Sequence, residues 1–75
     1  MKKKIYYVVE KELQDIDGIQ ETTGHKNITA YDVVNNEPKK FFDMDVTNDE
    51  NSIEAMTEWL NDNGYEDEVF EFIQL

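Results

Sequence analysis

Apolar and polar positions alternate with a period of two through most of the chain and change to a helical period once, between Thr47 and Gly64. Residues 3–13 are rich in Ile, Tyr and Val with charged ends, the composition of a strand. Tyr6 and Val8 fall on one face, Ile5, Tyr7 and Val9 on the other. Both faces are apolar, which suits a central or well-covered strand. Asp15-Ile16-Asp17-Gly18 carries the Asp-Gly turn signal, and residues 19–23 read as a short returning strand. Gly24-His25-Lys26-Asn27 reads as a second turn. Residues 28–34 form a further strand, with Ile28, Ala30 and Val34 alternating against Thr29, Tyr31 and Val33. Asn35-Asn36-Glu37-Pro38 is loop chemistry, because Asn tolerates left-handed backbone and Pro cannot donate inside a ladder. Residues 40–46 then place Phe42, Met44 and Val46 on one face and Asp43 and Asp45 on the other.

The change of period comes at Thr47-Asn48-Asp49-Glu50, which matches the capping box and predicts the start of a helix. Ile53, Met56, Trp59 and Leu60 gather in an arc of roughly 120°, the width of a core-facing stripe. Asn63-Gly64 supplies the left-handed cap that ends it. After Glu66-Asp67-Glu68, residues 69–75 predict a last strand, with Phe70 and Phe72 opposed to Val69, Glu71 and Ile73.

The expected fold is therefore α+β. A meander leads into one helix across one face of an antiparallel sheet of four to five strands, and a final strand closes it. A right-handed crossover through the helix would set the strands before and after it parallel and make the sheet mixed. Neither repeat nor linker interrupts residues 1–75, so a single domain is expected, in a size range where the core is marginal.

Charge changes this picture more than composition does. The seven basic residues all lie in the first forty positions, so residues 41–75 hold eleven carboxylates and account for the whole net charge of −11. Arg is absent, and with it the bidentate fork suited to phosphate. Direct nucleic-acid binding, which draws its affinity from cations on phosphates, is not expected. There is no Cys, which removes disulfides, thiolate chemistry and Cys-held zinc or iron–sulfur centres. Met1-Lys2-Lys3-Lys4 imitates the basic head of a secretion signal, but the apolar run after it stops at Glu10 with no small-residue cleavage site. No segment approaches the roughly 18 apolar residues of a membrane span. A cytosolic protein from a bacterium or phage is expected, without membrane contact.

Glu50, Glu54, Glu58 and Asp62 recur at every fourth position, placing four carboxylates in one row on the helix flank. Successive members lie about 6 Å apart along the axis, and like charges at that spacing cost a few tenths of a kcal/mol per pair. The row reads either as a solvated face or as a docking face for a basic protein surface, which it would attract at long range. A narrower form of docking is mimicry of DNA, with carboxylates standing in for phosphates. In charge and size the chain is similar to small acidic phage inhibitors of restriction and CRISPR enzymes.

A third reading comes from the spacing of residues 43–54. On the calcium-loop pattern of alternate oxygen ligands, the segment offers Asp43, Asp45, Thr47, the Asp49 carbonyl, Asn51 and Glu54. Asn48 stands where that pattern needs Gly, and Glu50 where it needs an apolar residue. The lone His25 and lone Ser52 assemble no dyad or triad. No phosphate loop or His-Glu-x-x-His motif is present, so neither catalysis nor a cofactor is expected. The aromatics Phe42, Trp59, Phe70 and Phe72 are assigned to the core. Phe41, together with one or more of Tyr6, Tyr7 and Tyr31, is assigned to the uncovered side of the sheet. The function expected is that of a non-catalytic protein-interaction module, with DNA mimicry the alternative and a calcium-responsive loop the third.

Overall fold

A computed structural model describes residues 3–75; Met1 and Lys2, the start of the basic N-terminal run, lie outside them. The chain forms β1 (Lys3–Ile16), β2 (Ile19–Val34), β3 (Glu37–Thr47), α1 (Ser52–Asp62) and β4 (Phe70–Gln74). These strands make one mixed sheet in the order β3-β2-β1-β4. The pairs β1–β2 and β2–β3 are antiparallel, while β4 runs parallel to β1. The two edge strands, β3 and β4, therefore point the same way, and α1 carries the chain over one face from edge to edge.

Two tight turns set the hairpins. Asp17-Gly18 (φ 51° and 81°) and Asn35-Asn36 (φ 54° and 64°) each place both central residues at positive φ, the geometry of two-residue turns whose twist matches that of the strands. The second turn is shorter than the four-residue loop expected from sequence. Glu37 and Pro38 belong to β3, and Pro38 is tolerated because β3 is an edge strand.

The expected turn at residues 24–27 is instead a kink inside one continuous β2. Between the pairs Lys11↔Lys26 and Leu13↔Thr22, β1 spends one residue and β2 three. Gly24, at φ 85°, absorbs the excess. Thr23 Oγ1 donates to Glu12 across the bulge at 3.3 Å, and the Asn48 N–H donates to the Gly24 carbonyl at 2.9 Å. Beyond it the β1–β2 hairpin projects as an arm with Leu13, Ile16 and Ile19 exposed, and the molecule measures 50 × 26 × 17 Å.

The core lies between the sheet and α1: Ile5 and Tyr7 of β1, Ile28 and Ala30 of β2, Phe42 and Val46 of β3, and Ala55, Met56 and Leu60 of α1. The indole of Trp59 stacks on Phe42 at 4.0 Å and 10°. A second bulge corrects the expectation for Phe41. Ala30 pairs with Phe42 but Tyr31 pairs with Lys40, so Phe41 is the unpaired extra residue and turns to the helix side. Its ring lies 5.3 Å from Phe42, 5.9 Å from Trp59 and 5.3 Å from Tyr65. Tyr65 continues to Phe70 at 6.3 Å and Phe70 to Phe72 at 6.4 Å. Aromatic contacts thus run from one sheet edge to the other beneath the crossover, each edge-to-face or stacked pair contributing about 0.5–1.5 kcal/mol beyond area. Of the expected core aromatics, Phe42 is buried and Trp59, Phe70 and Phe72 are half-buried against it. Tyr7 is buried on the helix side, leaving Tyr6 and Tyr31 paired on the uncovered face.

Candidate functional site: the acidic helix face

The helix begins four residues later than the Thr47 box predicts. Thr47 still pairs with His25 in the sheet, and residues 47–50 make a turn closed by the Glu50 N–H on the Thr47 carbonyl at 3.1 Å. The N-cap is Asn51, whose side-chain oxygen accepts from the amides of Ile53 at 3.0 Å and Glu54 at 3.1 Å. At the other end Gly64 (φ 90°) follows the C-cap Asn63, and the Tyr65 N–H reaches back to the Leu60 carbonyl at 2.9 Å. This is the Schellman closure that Asn63-Gly64 predicts. The buried stripe is Ala55, Met56 and Leu60 with Trp59; Ile53, expected in it, is 45% exposed. Ile53 falls in the first turn, beyond the edge of that stripe.

The later start splits the acidic row. Glu54, Glu58 and Asp62 lie on α1 and are exposed, whereas Glu50 precedes the cap. The Glu50 side chain accepts from Thr47 Oγ1 at 3.5 Å, and its carbonyl accepts from Lys26 Nζ at 2.6 Å. Glu50, Glu54 and Glu58 border an open groove of about 390 Å³, completed by Asp49, Asn51 and Ala55. Asp62 lies a turn further on, outside it. Glu54, in the first turn, is favoured by the positive end of the helix dipole, and Asp62, in the last turn, is disfavoured by the negative end. The last turn contains no basic residue.

Among the described residues, ion pairs form only in the sheet. Lys3 meets Asp32 at 3.3 Å and Lys40 meets Asp43 across the second bulge, while His25 Nδ1 lies 3.6 Å from Asp45, a contact that is an ion pair only with the imidazole protonated. The hydrogen bond and charge of Asp43 raise the Lys40 pKa above its usual 10.5. Any stabilisation from that exposed pair is present at neutral pH and is lost as pH rises through the raised value. None of these pairs reaches Glu54, Glu58 or Asp62.

The calcium pattern is not drawn together. Asp43, Asp45 and Thr47 lie on an extended edge strand, where Asp43 and Asp45 face Lys40 and His25. Asn51 uses its side-chain oxygen as the cap, and Glu54 lies on the helix. Among the described residues no group of three or more His, Asp and Glu side chains is placed to hold a metal ion. His25, read from sequence as a turn residue, sits in β2.

A second open groove, of about 260 Å³, joins Lys3, Asp32, Lys39, Phe41 and Tyr65, with Lys3 Nζ 5.7 Å from the centre of the Phe41 ring. The adjacency of Lys39, Lys40 and Phe41 was visible in sequence. Their meeting with Lys3 depends on strand order and the bulge. Among the described residues no helix is long and apolar enough to cross a membrane. No protein-family model, curated protein or solved structure matches the chain.

Proposed function

We propose that the chain is a small cytosolic, non-catalytic protein-interaction module that docks on a basic protein surface through Glu54, Glu58 and Asp62, with Glu50 at the head of the row. The observation that carries this reading is a row of exposed carboxylates, evenly spaced on one helix that has no basic residue in its last turn. The sheet's ion pairs engage Lys3 and Lys40, while the helix row keeps none among the described residues. It also retains Asp62 where the helix dipole opposes it. Such a row costs stability in the free protein, and a cationic partner would relieve that cost on docking. Long-range attraction would also speed encounter. Both grooves are open and lined largely by polar side chains, which supports binding over carboxylate acid–base chemistry in a water-excluded cleft.

Regular spacing on one rigid helix favours a narrower version as the second reading, in which the row stands in for DNA phosphates. One experiment tests both. The chain is immobilised beside two charge-matched variants, Glu54→Gln/Glu58→Gln/Asp62→Asn and Glu66→Gln/Asp67→Asn/Glu68→Gln, and exposed to cell extract. A partner kept by the wild type and the loop variant but lost by the helix variant is the expected result. Equal loss from both variants would mean that bulk charge alone is responsible. Displacement of that partner by duplex DNA would select mimicry.

A further inference from the structure

The helix covers one face of the sheet; among the described residues nothing covers the other. Strand pairing lays the uncovered face out in rows. At its centre Ile73, Tyr6 and Tyr31 stand side by side, with Val8 and Thr29 in the next row. Tyr6, Val8, Tyr31 and Ile73 are all half-buried, so the middle of this face is apolar where an open antiparallel sheet is usually polar. On β1 itself charge changes sign along the strand, although Glu71 of β4 stands beside Lys4, and Lys40 and Asp43 of β3 flank the two central rows. Lys4 lies one row before Tyr6, and Glu10 lies one row after Val8. Both are exposed, and neither belongs to an ion pair among the described residues.

That arrangement is complementary to itself. A two-fold axis parallel to the sheet and just outside its uncovered face, perpendicular to the strands and between the Tyr6 and Val8 rows, reverses strand direction and keeps each strand opposite its own copy. Lys4 of each copy then faces Glu10 of the other, Tyr6 faces Val8, and Lys40 faces Asp43. We propose that the uncovered face is an isologous interface that pairs two copies of this chain, closed by apolar contact at Tyr6 and Val8 and by two reciprocal Lys4–Glu10 contacts. A C2 interface brings one patch against itself in this way, and aligned sheet packing tolerates the twist between the layers. The helix rows lie on the outer layers of such a pair, so the most acidic surfaces stay apart. The inference does not depend on the role proposed for the helix.

The footprint covers the rows from Lys4 to Glu10 on β1, β2 and β3, with β4 reaching only the rows of Lys4 and Tyr6; at most about 19 by 20 Å, roughly 380 Å² per copy, it is below the size of stable specific interfaces and fits a weak, transient pair. Association is therefore followed by sedimentation equilibrium up to about 1 mM protein, the weak limit of measurable affinity. The wild type is expected to approach twice its 8.9 kDa mass. Lys4→Glu and Glu10→Lys should each weaken self-association about tenfold or more, since each sets like charges opposite at both contacts. Lys4→Glu also places a carboxylate beside Glu71, its neighbour on β4, so far-UV circular dichroism checks each variant and Glu10→Lys serves as the independent arm. Mixing the two single variants should restore the dimer, because every contact in the mixed pair again joins opposite charges. A wild type that stays at 8.9 kDa throughout, single variants that dimerise like it, or a mixture that stays monomeric would each overturn the proposal.

Discussion

Asn51 is the residue on which the helix start depends. Its one side-chain oxygen satisfies two amides of the first turn, which otherwise have no intrahelical partner. Asn51→Ala is expected to cost about 1 kcal/mol, a fall in Tm of roughly 4–8 °C for a domain of this size. Thr47→Ala, which removes the side chain that the sequence pattern favours as cap, should move Tm far less, because that hydroxyl makes only a 3.5 Å contact with Glu50. Thermal melts of the two variants decide the point. The ambiguity has a physical source. Thr47…Glu50 and Asn51…Glu54 are two boxes in tandem, each with an oxygen followed three residues later by Glu. The pairing of Thr47 with His25 keeps the first box in the sheet, and no local pattern contains that long-range contact. Where the chemistry is purely local, as at Asp17-Gly18 and Asn63-Gly64, the sequence was sufficient.

At the scale of elements, α1 is held by a buried stripe and opposed by its own charge. Glu54→Gln, Glu58→Gln and Asp62→Asn together should raise stability by a few tenths of a kcal/mol for each like-charged pair relieved, with a further gain at Asp62 from the helix dipole. Urea denaturation at low ionic strength measures this, and the gain should shrink as salt is added. A gain in stability accompanied by loss of a partner would be the trade expected where charge is kept for binding. The alternation of β3 from Phe42 onward and of β4, and the period of α1, were legible because each buries one face of a regular repeat, while β1 was legible from its composition, apolar on both faces. Both bulges were not. Gly24 carries the signal of a turn yet serves as a kink in a ladder, and Phe41 beside Phe42 looks like strict alternation until one residue drops out of the pairing. The second bulge turns Phe41 from the open face to the helix side, where its ring links Trp59 to Tyr65.

The whole molecule is asymmetric between its two layers. Its sheet contains all the described ion pairs and an uncovered face with an apolar centre. Its helix layer contains a regular row of carboxylates with no ion pair among the described residues. The mixed sheet was legible as a consequence of the crossover, since a helix between strands permits a parallel return. The order β3-β2-β1-β4 was not, because nothing local tells β4 to choose β1 over β3. The site was legible in part: Glu54, Glu58 and Asp62 share the helix as spacing requires, and Glu50 was displaced by the shift of the cap. If the helix row is a privileged docking face, it must outcompete the other acidic segments for a cation. Titration of ¹⁵N-labelled protein with an Arg-rich peptide at physiological salt, followed by amide shifts, tests this most directly. Saturable shifts concentrated on residues 50–62 are predicted; shifts spread evenly over residues 43–45, 50–62 and 66–68 in proportion to their charge would contradict the account.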